Sequence, residues 1–319
     1  FGSGSLGAFV FSYLADNIGR RPVIIYPISA YVFIALGTAL APNFSTLAGL
    51  YILGYITVTG MLPPVQAAIR DISPRMGRAI SYSVLSLAFV LGALLSTWAG
   101  AIFIPIWPGW RPQFWIAAVV ALVTFLFLAI FYKDLTERVR SNIIESKLDQ
   151  QKFLRSRYSD IKAARKSGNL VYKDWRMWVV STACVFWSVT YMTIVGYVPL
   201  YFTQYFSIEP AKAASLTSVF WIVAIFSIFF GGWVSDKLQV RKTVTIFGGI
   251  ATGVCFVIMS VLPANTSIAS LVIIWCIEAV FAGFIYPPWC ALISEMAENI
   301  SPFGVARAFG IMGILNVFA

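Results

Sequence analysis

The sequence predicts an all-α integral membrane protein made of two related halves. Three observations predict it: long apolar stretches without charge, a charged island that recurs, and basic residues confined to alternate loops. Apolar residues make up 59% of the 319 residues and charged residues 11%, where soluble domains carry about 25% charge. No Asp, Glu, Lys or Arg occurs in 22–69, 79–110, 112–132, 177–208, 213–235 or 243–277.

A helix needs about 20 apolar residues to cross a bilayer, so the longest of these runs hold two each. With turns at 41–45 and 262–266, eight full spans are expected near 23–41, 47–69, 80–104, 114–132, 178–203, 212–234, 244–262 and 269–292. Partial spans lie at 1–15 and 305–319. Backbone groups in lipid must bond internally, and the alternation of a barrel strand is absent, so the spans are helices.

Threading the loops across a membrane places those near 16–21, 70–78, 133–176, 236–242 and 295–307 on one side. All of the 23 Lys and Arg except Arg111 and Lys212 fall there. The positive-inside rule makes that side cytoplasmic, in a multi-pass protein expected in the plasma membrane. These charges sit at helix ends, so the partner they imply is the lipid bilayer and no nucleic acid is expected.

The chain has no histidine, and no nucleophile–base pair is visible, so no enzyme is expected. Cys184, Cys255, Cys276 and Cys290 fall within spans at no metal-like spacing. No metal or cofactor is expected.

Residues 133–176 hold 12 basic and six acidic residues. They divide the chain into a first helical bundle (1–132), a cytoplasmic linker (133–176) with a surface helix over Glu145–Lys166, and a second bundle (177–319). The halves echo one another. Asp16-Asn-Ile-Gly19-Arg20-Arg21 returns as Gly232-x-x-x-Asp236 with Arg241, and Pro63-Pro64 returns as Pro287-Pro288. Each proline pair is followed by an acid (Asp71, Glu295), then Ser-Pro, then Arg-Ala (Arg78-Ala79, Arg307-Ala308). Internal parallel repeats are an architecture of secondary transporters, whose substrate site lies between them at the midplane.

The first island resembles the major facilitator superfamily signature Gly-x-x-x-Asp-Arg-x-Gly-Arg-Arg. Asp16, Gly19, Arg20 and Arg21 match, while Ser12 stands for the first Gly and Asn17 for the first Arg. The second copy keeps Gly232, Asp236 and Arg241, and Trp110-Arg111 also has the family's look. The resemblance implies a two-bundle transporter, here expected to run from within the family's second helix to within its eleventh. It also implies that Asp16 packs on the start of the helix at Ser301-Pro302, near Arg307, and Asp236 on the helix start at Arg78. These contacts would gate the cytoplasmic side.

The implied function is secondary active transport of a small organic solute by alternating access, with proton-coupled symport expected and a monomer. A proton-coupled efflux antiporter is the alternative, and a non-transporting sensor or scaffold is the second. The family's antiporter signature is reduced here to Gly92-x-x-x-Ser96-Thr97-x-x-Gly100-Ala101, without its Gly-Pro pair.

One ionisable acid lies deep within a span. Glu278 sits about ten residues, or roughly 15 Å, from the outer helix end, near the bilayer centre. Acids at that depth are costly and mark substrate or proton sites. Tyr191 and Tyr197, around Gly196 and Pro199, are candidate aromatic lining. Thr57 and Thr59 are further candidates for the site.

Overall fold

The computed structural model describes residues 2–106, 111–132 and 167–316. Its helices are α1 (Gly2–Ile18), α2 (Arg20–Ala39), α3 (Phe44–Ile72), α4 (Arg78–Ile106), α5 (Arg111–Phe131), α6 (Leu170–Lys173) and α7 (Trp175–Met192). They continue with α8 (Val198–Gln204), α9 (Pro210–Leu238), α10 (Lys242–Ser260), α11 (Ile268–Ala282), α12 (Tyr286–Ile300) and α13 (Val305–Leu315). The surface helix expected over Glu145–Lys166 lies outside the described residues.

Eight of the described segments are long and apolar enough to cross a membrane. They correspond to the eight runs read from the sequence. Side chains such as Phe127, Ile130, Phe226 and Ile250 are mostly exposed, as expected of helices whose outer faces meet hydrocarbon. The expected turns fall where polar side chains cap a helix: Asn43 Oδ1 accepts from Thr46 N at 2.8 Å, and Ser267 Oγ accepts from Ser270 N at 3.2 Å.

The two proline pairs behave differently. Pro63 and Pro64 sit within a continuous α3. Pro287 and Pro288 open α12 after a break at 283–285, so the eighth span is two helices. At Gly283 a side chain would strike Ser227, which donates its hydroxyl to Val280 O. Close approach of α9 at a glycine, next to two residues lacking N–H, explains the break. Between α7 and α8 the chain makes a π-helical turn over Thr193–Tyr197, beside Pro199.

Packing gathers the chain into two units. The first comprises Phe1–Ile72, Gly100–Phe186 and Ile293–Ala319; the second comprises Ser73–Ala99 and Trp187–Leu292. These units do not follow chain order as the 1–132, 133–176 and 177–319 division does. Small residues account for the difference. In the first unit Gly310 and Gly313 of α13 lie against Ser12 and Ala8 of α1, while in the second Gly232 of α9 lies against Ala79 and Ser83 of α4. Backbones that close hold each helix to a distant part of the chain.

The first unit also joins α1 to α3, where Gly7 meets the Ile56 carbonyl and Gly60 meets Phe11. The second has an aromatic core. Trp275 packs on Phe220 at 4.7 Å between ring centroids and edge-on to Phe202 at 5.9 Å.

Candidate functional site

Both charged islands place an aspartate at the open N-terminus of another helix. In the first unit α13 begins after Gly304, which has no side chain to cap it. Asp16 of α1 does so instead: its Oδ2 accepts the Arg307 backbone N–H at 3.1 Å. The first turn of a helix carries unpaired N–H groups and a partial positive charge, so a carboxylate is well placed there. In the second unit Asp236 of α9 accepts from Ala79 N at 3.3 Å and Ile80 N at 2.9 Å, in the first turn of α4.

The helix expected to start at Ser301-Pro302 starts instead at Val305. Ser301 N still bonds back to Ala297 O at 2.8 Å, and the Ser301 hydroxyl faces that of Ser167 at 2.9 Å. It is therefore spent on a different contact and caps nothing. Gly304 N closes a turn onto Ser301 O, and Pro302 O accepts from Arg70 Nη2 at 2.9 Å.

Around Asp16 the charges form a chain. Arg20 Nη1 donates to Asp16 Oδ1 at 2.7 Å and Arg20 Nε to Asp71 Oδ2 at 3.3 Å. Asp71 pairs with Arg70 at 2.8 Å, and Arg70 pairs with Glu298 at 2.7 Å. Arg307 Nε lies 3.7 Å from Asp16, while its other nitrogens donate to Asn17 and Asn169 at 3.2 and 3.1 Å. The Arg307 guanidinium also lies over the Tyr13 ring at 4.8 Å. Three carboxylates and three guanidiniums thus alternate, each side chain at most 7% exposed.

Gly19 links α1 to α2 at φ 105°, a region closed to most side chains, which explains the glycine of the motif. Arg21 stands apart from this chain and donates to Ala129 O at 3.2 Å.

The second island is simpler. Arg241 donates to Asp236 Oδ1 at 2.6 Å, to Ser235 Oγ at 3.1 Å and to Arg75 O at 2.9 Å. Arg78 is fully buried at the start of α4. Gly232 gives Ser83 room to donate to Ile228 O at 2.9 Å.

Glu278 is fully buried in α11, and neither carboxyl oxygen has a hydrogen-bond partner among the described residues. Cys255, buried in α10, lies within electrostatic range of it. Thr252, one turn away on the same buried stripe of α10, has an unpartnered hydroxyl, as does the Trp275 indole N–H one turn back on α11. A buried acid close in its helix to another buried polar group that has no partner among the described residues is an arrangement suited to holding a proton.

The remaining candidates divide. Tyr191 packs on Trp221 at 5.9 Å, which joins it through Phe220 to Trp275. Tyr197 is 68% exposed in the π-helical turn. Thr57 Oγ1 donates to Leu53 O at 2.8 Å within its own helix, and Thr59 Oγ1 lies 2.6 Å from Tyr55 O and 3.1 Å from Gly4 O. Both hydroxyls are thus engaged with backbone.

Sequence reasoning had not connected Arg70 with Glu298, because 228 positions separate them and each reads as an ordinary helix-end charge. The repeat pointed to Glu295, one turn short of the paired acid. Ser167, Asn169 and Tyr172 carry no sequence signal at all. Tyr172 is mostly buried near Ser12, Arg307 and Asp16, and burial pushes its phenol above its ordinary range.

The sequence profile of the Major Facilitator Superfamily matches residues 1–319, and the chain belongs to that family. Members of this family are transporters rather than enzymes, and the chain is a multi-pass membrane protein. It is 26% identical to a chloramphenicol resistance protein of Pseudomonas aeruginosa over 95% of this chain and 65% of that one. It is 23% identical to a D-xylose transporter of Levilactobacillus brevis over 98% of this chain and 71% of that one. The chain thus spans just under two thirds of the resistance protein's length. Among solved structures, the proton:xylose symporter XylE bound to 6-bromo-6-deoxy-D-glucose is similar with a TM-score of 0.75 at 16% identity, covering 99% of this chain and 76% of that one. A double-Trp mutant of XylE has a TM-score of 0.77 at 18% identity, covering 99% and 75%.

Proposed function

We propose that this chain forms the body of a secondary active transporter, which moves a small organic solute across the plasma membrane by alternating access. The observation that carries the reading is the pair of aspartate caps. Each holds together two helices from distant parts of the chain at their charged ends, and each is broken by separating them. In this reading the caps close the cytoplasmic side, Asp16 with Arg20 and Arg307, Asp236 with Arg241 and the α4 start at Arg78. The transporter works as a monomer with two bundles, 1–132 and 177–319, joined by the 133–176 linker.

Proton-coupled symport is the mode we favour, with Glu278 as the group that loads and releases the proton. Its burial without a partner supports this, because an acid so placed is most stable with its proton on. Tyr191 and Tyr197 would line the solute path, with Thr57 and Thr59 serving helix contacts beside it. A second reading, proton-coupled efflux of drugs, draws support from the similarity to the chloramphenicol resistance protein.

The test is Glu278→Gln in the full-length protein, reconstituted in vesicles. Gln mimics the permanently loaded acid, so solute exchange persists while accumulation driven by a pH gradient falls at least tenfold. Intact accumulation removes Glu278 from the coupling role. Loss of exchange and binding together assigns Glu278 to a cationic solute instead.

A further inference from the structure

The stretch 167–173 lies just before the first span of the second half and is packed on the Arg307 side of the Asp16 cap. Asn169 Oδ1 accepts from Arg307 Nη1 at 3.1 Å, and the Ser167 hydroxyl meets that of Ser301 at 2.9 Å. A side chain at Gly168 would run into the Arg307 guanidinium, and one at Gly304 would come within 2.7 Å of the Gly168 carbonyl. Val171 is fully buried, and Tyr172 sits 5.8 Å from the Phe9 ring of α1. The Tyr172 carbonyl in turn accepts from Trp178 Nε1 of α7 at 2.9 Å.

Two consequences follow from this packing. Arg307 is clasped on one side by α1, through Asp16, Asn17 and Tyr13, and on the other by residues 168–169. Moreover, the seam is close at both glycines: a side chain at Gly304 would meet Val171 and the Gly168 carbonyl, and one at Gly168 would meet the Arg307 guanidinium and the Phe303 carbonyl. Asn169 thus holds, from the side opposite α1, the guanidinium that faces Asp16.

We propose that residues 167–173 are a strap of the cytoplasmic gate, with Asn169 positioning Arg307 so that the Asp16 cap stays closed. The proposal rests on the gate reading above. It ties the segment that leads into α7 directly to the closed state.

The sign of the effect at Asn169 separates a strap from a merely structural segment. Asn169→Asp presents a carboxylate to Arg307 and strengthens the contact, while Asn169→Ala removes it; hydrogen bonds to charged groups are the stronger class. Spin labels at Ile18 and Asn299, in a full-length cysteine-free protein in lipid nanodiscs, report separation of the two sides of the cap. The Ala variant should raise the open fraction about tenfold and the Asp variant lower it by a similar factor, with the folded fraction unchanged in both. Shifts of the same sign, or no shift in either, overturn the strap. Asp16→Asn is measured beside them. If it too leaves the distance distribution unchanged, the gate reading itself fails; if it shifts the distribution while both Asn169 variants do not, only the strap is wrong.

Discussion

Asp16 and Asp236 each cap a helix that begins far away in the chain, but Asp16 does so inside a run of six charged side chains, and Asp236 beside a single arginine. The backbone device is shared. An aspartate at the end of one helix meets the first turn of another, and a serine faces a glycine one turn further on. The small residues are exchanged between the two copies. In the first, Ser12 lies on the aspartate's helix and Gly310 on the capped one; in the second, Gly232 lies on the aspartate's helix and Ser83 on the capped one. Both seams bring two backbones together at a glycine, whereas the ion pairs around the two aspartates differ.

That difference sets the largest expected effect. Arg70 pairs with Glu298 and Asp71, and all three side chains are nearly inaccessible. Arg70→Met removes a buried cation from between Glu298 and Asp71, which should cost about 3–5 kcal/mol of stability. Arg241→Met leaves Asp236 with two backbone N–H donors, so a loss of about 1.5–3 kcal/mol is expected. Denaturant unfolding of the two variants in the same detergent measures both, and equal losses would erase the electrical contrast between the copies. Adding Glu298→Gln to Arg70→Met should recover part of the first loss, because one of the two buried charges that faced the lost guanidinium is then gone.

A smaller effect sharpens the packing half of the comparison. Gly310→Ser alone pushes a side chain onto Ser12 and should cost about 1–3 kcal/mol. Combined with Ser12→Gly it recreates the arrangement of the second copy, and most of that loss should return. Failure of the double variant to recover would mean that the two seams are not equivalent in shape.

Much of this was legible in the sequence. Charge-free runs of sufficient length identify the spans because a bilayer admits little else, and the aspartates of the islands stand out because nothing nearby is charged. Asp16 accepts from the Arg307 amide and Asp236 from amides at the start of α4, two contacts that join aspartates visible in the sequence to helices distant in the chain. What stayed hidden depends on partners distant in the chain. Nothing local marks Arg70 as the mate of Glu298 or Asn169 as a hydrogen-bond partner of Arg307. The start of α13 was misplaced because Ser-Pro is a good helix opening when its hydroxyl is free, and here that hydroxyl is held by Ser167. Thr57 and Thr59 stood out as polar groups in a span, yet bonding back to the preceding turn is the common use of threonine there.

The gate proposed above requires the two caps to open together. Hydrogen exchange of the amides they hold, in peptides covering 75–83 and 303–310 of the full-length protein, tests it most directly. Asp236→Asn touches only the second cap, and loss of a capping bond should speed exchange of the Ala79 and Ile80 amides about 3–30-fold. If the caps are one gate, exchange of the Arg307 amide rises in the same variant, because opening the second cap populates the state in which the first is also broken. Faster exchange confined to 75–83 would contradict the account and leave the two aspartates as independent helix caps.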